Sequence, residues 1–159
     1  MLQISPTLTE LQEIASQLPE QIPYLKMLIL FGSRARGDTH PKSDWDFAAL
    51  YDEKLREESC QDRGFSWFEV PGILGEAFRI NSDEIDVVEL HRCSSLIAHF
   101  VARDGILLYE TELGKFEAFK QQCFMTDAEL EVLRQNLRQK IEVALQRRGV
   151  WRRLSLPSS

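Results

Sequence analysis

Residues 28–51 read LILFGSRARGDTHPKSDWDFAALY, and the fold is decided here. An apolar run over 24–31, broken only by Lys26, has the length and character of a strand buried on both faces. Gly32-Ser33 ends it. Ser33 is placed to cap a short helix or turn, with Arg34 and Arg36 just inside it, and Gly37-Asp38 then turns the chain. Ten residues after Ser33 come Asp44 and Asp46, separated by Trp45, and a second apolar run follows to Tyr51.

Residues i and i+2 of a strand point to the same face. Asp44 and Asp46 therefore project together, while Trp45 and Phe47 project into the core. Two aligned carboxylates repel each other and raise one another's pKa, so a divalent cation belongs between them. Oxygen ligands with open coordination positions select Mg²⁺ or Mn²⁺, which complete their shells with water and phosphate. The Gly-Ser turn supplies the other half of such a site. Glycine lets the backbone approach a phosphate, and the Gly32 and Ser33 amides with the Ser33 hydroxyl make an anion cradle. Arg34, Arg36, Lys42 and Ser43 are near enough in sequence to add further contacts.

A third carboxylate is expected on a neighbouring strand. IDVVEL, residues 85–90, reads as that strand and offers Asp86 as a metal ligand or proton acceptor. Asp83, Glu84 and Glu89 compete for the role; Asp86 is favoured by its strand-forming flanks.

Around this centre, Thr7-x-x-Glu10 fits a capping box, and Leu8, Leu11, Ile14 and Leu18 follow at helical spacing up to Pro19. Residues 52–63 hold eight charged side chains without periodicity and read as an exposed loop or frayed helix. A helix is expected from about Pro71, preceded by the aromatic segment FSWF at 65–68, which reads as core. Residues 94–103 read as a helix closed by Asp104-Gly105, 106–109 as a fourth strand, and 111–122 as a helix. Thr126-x-x-Glu129 opens a long helix with Leu130, Leu133, Leu137, Ile141 and Leu145 on one stripe, ending near Gly149. The tail from Trp151 carries few core residues. The organisation expected is a core over 1–110 and a helical extension over 111–159 within the same compact unit.

The chain has 159 residues, 43% apolar and 28% charged, enough for one folded domain. The beginning of the sequence shows no signal peptide, and the longest apolar run is far too short for a membrane span. Cys60, Cys93 and Cys123 lack a CxxC spacing and read as reduced thiols of a cytosolic protein. His91 and Cys93 have no second ligand pair for zinc, and His99 reads as a packing residue. A net charge of −6 argues against wholesale nucleic-acid binding. Residues 126–159 nevertheless carry seven Lys/Arg against four Asp/Glu, a basic patch on an acidic body.

Gly32-Ser33, ten residues, then Asp44-x-Asp46 resembles the GSx10DxD signature of the DNA polymerase β-like nucleotidyltransferase superfamily. The form GSRARG…SDWDFA, with IDVVEL and FVARDGILLYE, resembles its minimal nucleotidyltransferases, in particular the MntA-type antitoxins of HEPN ribonuclease (HepT) toxins. The resemblance spans roughly residues 24–110. It implies an α+β fold, a mixed sheet of three to four strands backed by helices with a long C-terminal helix. It implies transfer of AMP from ATP to a tyrosine hydroxyl of the toxin in a type VII-like pair, with two Mg²⁺ ions. It carries phosphate binding onto Gly32 and Ser33 and metal binding onto Asp44, Asp46 and Asp86. Two other readings stay open at this stage: transfer to a small, aminoglycoside-like molecule, or an antitoxin acting by binding alone. For a protein acceptor, the stripe and arginines of 130–153 offer a docking face.

Overall fold

The apolar run becomes β1 (Leu25–Phe31), and six of its seven residues are buried. Only Lys26 is half-exposed, so the strand has no solvent face and must lie centrally. It pairs antiparallel with β2 (Trp45–Tyr51) on one side and with β4 (Ile106–Glu110) on the other. β2 pairs in parallel with β3 (Ile85–Glu89), which gives a mixed four-stranded sheet in the order β3-β2-β1-β4. The computed structural model describes residues 5–38, 43–63 and 69–147, with 60–63 as backbone only. The readings placed on Lys42, the Cys60 side chain, residues 65–68, Gly149 and the tail lie outside the described residues.

Each face of the sheet is covered by helices that the sequence pattern anticipates. On one face α1 (Leu8–Ala15) and α4 (Glu69–Phe78) pack Leu11, Ala15, Val70, Leu74 and Phe78 against Leu28, Leu30, Trp45 and Phe47. On the other, α5 (Ser95–Asp104) and α6 (Lys115–Cys123) bring Val101 and Phe116 onto Met27, Ile29, Phe31 and Ala48. The Thr7 hydroxyl caps α1 by accepting from the Glu10 amide at 3.2 Å. The periodic run stops at Ala15, and Leu18–Glu20 forms a separate 3-10 turn around Pro19. The chain divides into two compact units, Met1–Phe124 and Met125–Ser159. The second contains α7 (Asp127–Arg147), whose box closes as expected: the Thr126 hydroxyl accepts from the Glu129 amide at 3.2 Å and donates to its carboxylate at 3.1 Å.

Two departures have clear causes. Residues 111–114 do not join the helix expected there. Gly114 adopts φ +89°, and the Glu110 carboxylate accepts from the Gly114 and Phe116 amides at 3.0 Å each, so α6 starts at Lys115. The charged stretch 52–63 takes the helical of its two readings, as α3 (Glu53–Arg63), started by the Asp52 carboxylate on the Leu55 amide, but it is not exposed throughout. Its Arg56 is 2% exposed. It is ion-paired with Glu89 of β3, and its guanidinium lies 4.4 Å from the Tyr51 ring centre. The same burial pushes the Tyr51 phenol well above its ordinary pKa. A charge run read as solvated therefore contains a core residue, because stacking and a carboxylate replace water around it.

Arg56→Ala should destabilise the protein by about 3 kcal/mol, since it leaves a space beneath Tyr51 and deprives Glu89 of its buried partner. Urea denaturation followed by circular dichroism measures it.

Candidate active site

The sheet topology collects the chemistry at one end. β1 runs toward this end, and β2, β3 and β4 all begin there. The register pairs Phe31 with Asp46, Asp46 with Asp86, and Leu30 with Ile106. The Gly-Ser turn, both strand carboxylates and the junction between α5 and β4 thus meet without any long excursion of the chain.

Gly32 has φ +75° and ψ −158°, a backbone region open essentially to glycine alone. A second constraint acts on the same atom: a Cβ built on Gly32 would overlap the Asp46 carboxylate. The turn and the acidic strand touch backbone to side chain, which is why no larger residue fits. Ser33 opens α2 (Ser33–Arg36), a single turn that Gly37 closes at φ +84°. Ser33 is thereby its first residue, and the N-cap position expected for it belongs to Gly32.

The basic residues of this segment separate. Arg36 lines the cleft at the sheet end. Arg34 points away from it: its guanidinium stacks 4.3 Å from the Trp45 ring centre and donates to the Ser43 carbonyl at 2.9 Å. Arg34 therefore does not line the cleft, because the residue two before Arg36 on a one-turn helix lies on the opposite side, with the core-facing Trp45. Ser43 is buried and supplies that backbone acceptor.

Asp44 precedes β2 and is exposed; Asp46 is half-buried; Asp86 is exposed on β3 beside Asp46. Of the competing acids, Glu89 is taken by Arg56 and Arg92, while Asp83 and Glu84 sit in an exposed turn before the strand. The Asp46 carboxyl is raised above the ordinary range, first by desolvation, then by the charges of Asp86 and Asp44, with Arg36 opposing. Burial is thus the largest single cause, ahead of the repulsion from Asp44 that the spacing suggests. Among the described residues, no group of three His, Cys, Asp or Glu side chains stands close enough to hold an ion by itself. The donor set still fits Mg²⁺, which takes one or two carboxylates and draws the rest of its shell from water and phosphate. The unfavourable charge on Asp46 is what a cation would relieve.

The remaining wall is not legible in the motif. A cleft of about 340 Å³ is lined by Phe31, Gly32, Ser33, Arg36 and Asp46 together with Phe100 and Arg103 of α5. The Ser94 hydroxyl caps α5 on the Ile97 amide, and the helix ends at Gly105, directly before β4. Because β4 is antiparallel to β1, the last turn of α5 is delivered to the end of β1. The only sequence signal for this is FVARDG running straight into a strand. His99 is buried against Phe100 and Phe124, as a packing residue.

Residues 11–113 match the family model described as polymerase beta, nucleotidyltransferase. Over 145 residues the chain is 51% identical to the protein adenylyltransferase MntA of Aphanizomenon flos-aquae (strain 2012/KM1/D3), covering 91% of this chain and 97% of that one. Among solved structures, a toxin–antitoxin complex with AMP-PNP aligns with TM-score 0.49 and 23% identity, over 89% of this chain and 94% of the other. An MNT antitoxin in complex with a tri-AMPylated Shewanella oneidensis HEPN toxin aligns with TM-score 0.44 and 22% identity, over 87% and 91%. The fold and the family model define a nucleotidyltransferase. The chain belongs to the polymerase β nucleotidyltransferase family and, within it, to the MntA-type members.

Two outcomes follow from the contact between Gly32 and Asp46. Gly32→Ala should cost at least about 2 kcal/mol in chemical denaturation, from backbone strain together with displacement of the Asp46 carboxylate. Asp46→Asn should raise the melting temperature of the metal-free protein at neutral pH. The raised folded-state pKa means that ionising Asp46 opposes folding: stability is greatest below the ordinary Asp pKa and is lost as pH rises through the raised value. The variant removes that loss, so its advantage should vanish near pH 3. Thermal scans in chelator at both pH values test the sign.

Proposed function

We propose that this protein transfers AMP from ATP to a tyrosine hydroxyl of a partner protein, and that the partner is a HEPN-domain ribonuclease toxin inactivated by the modification. The observation that carries the reading is 51% identity, along nearly the whole of both chains, to a protein named for adenylyl transfer to protein. The geometry supports it. A phosphate-type turn and three acids share one sheet end, and the cleft there is open enough to admit a side chain from another molecule.

In this reading Gly32 and Ser33 hold the β- and γ-phosphates, with Arg36 beside them. Asp44, Asp46 and Asp86 would hold Mg²⁺, as two ions, which when bound neutralises charge on the α-phosphate and the leaving group. Asp86, exposed at the start of its strand, accepts the proton of the incoming hydroxyl. The acceptor oxygen bonds to the α-phosphorus, the bond from that phosphorus to the bridging oxygen breaks, and pyrophosphate leaves. Arg34 acts in support, tying the Ser43 backbone to Trp45 and so fixing the approach to Asp44. Among the described residues no helix is long and apolar enough to cross a membrane, and the reaction we assign takes place in the cytosol.

Intact-mass spectrometry of the protein mixed with ATP, Mg²⁺ and the product of the adjacent gene tests the proposal. An AMP-sized gain on the partner is expected, and it should disappear when Asp44 and Asp46 are both changed to Asn. A stable complex without any gain would replace enzymatic neutralisation by binding alone.

A further inference from the structure

The cleft lining holds two arginines besides Asp46, and one of them lies outside the signature segment. They are Arg36 from α2 and Arg103 from α5, joined through Asp104. Arg103 donates to Asp104 in a fork, Nε to Oδ1 at 3.0 Å and Nη2 to Oδ2 at 2.8 Å. Arg36 Nη1 reaches the same Oδ2 at 3.4 Å, while its Nε donates to Asp38 at 3.2 Å. One carboxylate oxygen thus receives both guanidiniums. The Asp104 side chain is 13% exposed, whereas each arginine is 42% exposed. Arg103 is further held by its guanidinium over the Phe100 ring, 5.0 Å from the centre.

We propose that Arg36 and Arg103 form a two-pronged clamp for the pyrophosphate portion of the bound nucleotide, and that Asp104 is the positioning residue that sets both prongs. The inference rests on the nucleotidyl-transfer reading of the cleft and deepens it. Three features of the contacts support it.

Donor counting comes first. A guanidinium carries five N–H groups. The fork on Asp104 uses two of those on Arg103, and Arg36 spends one on Asp104 and one on Asp38. Each arginine keeps N–H groups for an anion while remaining anchored. Charge comes second. Two guanidiniums brought to one point repel each other unless an anion lies between them. Asp104 supplies that anion, and its carboxyl is held below the ordinary range, first by the hydrogen bond from Arg103. The trio keeps one net positive charge, to which the partly exposed Asp38 is a replaceable counter-ion. A phosphate can take the place of Asp38 on Arg36 without disturbing the Asp104 anchor. Position comes third. Both arginines line the same cleft as Gly32, Ser33 and Asp46, so a phosphate chain lying on the Gly-Ser turn shares that cleft with both guanidiniums.

A competing role for Arg103 is simply to complement the C-terminus of α5. Ligand chain length separates the two. The full-length protein and its variants are titrated calorimetrically, in Mg²⁺, with α,β-methylene-ATP, with pyrophosphate and with AMP. Arg103→Ala should weaken α,β-methylene-ATP and pyrophosphate by roughly ten- to a hundredfold and leave AMP within about twofold. Arg103→Lys, which keeps charge but loses the fork, should recover part of that loss. Asp104→Asn should weaken the same two ligands and again spare AMP. Equal binding of all three ligands by wild type and Arg103→Ala would overturn the clamp, and so would a parallel loss of AMP binding, which signals general disruption of the cleft. A wild-type protein that binds none of them would instead bring down the nucleotidyl-transfer reading, and the clamp with it.

Discussion

The Asp46 carboxylate occupies the space where any side chain at position 32 would begin. That contact joins the Gly-Ser turn to the strand that carries Asp46. The pairing of Phe31 with Asp46 sets it, and the pairing of Asp46 with Asp86 extends it to the third strand. Four helices of the first unit hold the sheet that carries these strand ends. α1 and α4 press on one face through Trp45 and Phe47, and α5 and α6 press on the other through Val101 and Phe116. The hydrophobic core fixes the strands to within the tolerance that a phosphate and a carboxylate need from each other.

Such a site works against folding. Asp46 is partly desolvated and faces two like charges, so its ionisation is unfavourable in the folded protein. The surroundings offset it in ways local to each charge. Arg56 and Glu89 neutralise one another beneath the sheet edge, Arg34 is spent on Trp45 and Ser43, and Asp104 gathers Arg36 and Arg103. Of the two described arginines in the signature segment, the one that faces the cleft is the one with an acidic partner on a different element.

Legibility in the sequence follows the range of the interactions. The strands, the Gly-Ser turn and the pairing of Asp44 with Asp46 are readable because period-two alternation and glycine act over a few residues. Asp86 is readable as a candidate because a short apolar strand frames it. Arg56 is hidden because nothing in 52–63 reports that Tyr51 and Glu89 wait above it; burial of a charge is a tertiary fact. Arg34 and Arg36 look alike in the sequence and part company only when a one-turn helix sends them to opposite sides. Phe100 and Arg103 are invisible as site residues for the same reason, since only the antiparallel pairing of β4 with β1 carries the end of α5 to the cleft.

That delivery depends on a residue remote from the chemistry. A Cβ on Gly105 would strike the Val101 carbonyl and, at 2.7 Å, Ile29 Cγ2, with the Phe116 ring at 3.3 Å behind it. The carbonyl belongs to the helix that carries Arg103, and the Ile29 side chain to the central strand that ends just before Gly32. A larger residue at 105 would therefore have to push α5 away from β1, and the guanidiniums would retreat from the turn they face. The tightest of these contacts is with a backbone carbonyl, and Val101 and Ile29 are both fully buried, so a rotamer change would not relieve it. The close approach of a helix to a strand at one glycine is thus as much a part of the cleft as the residues that line it.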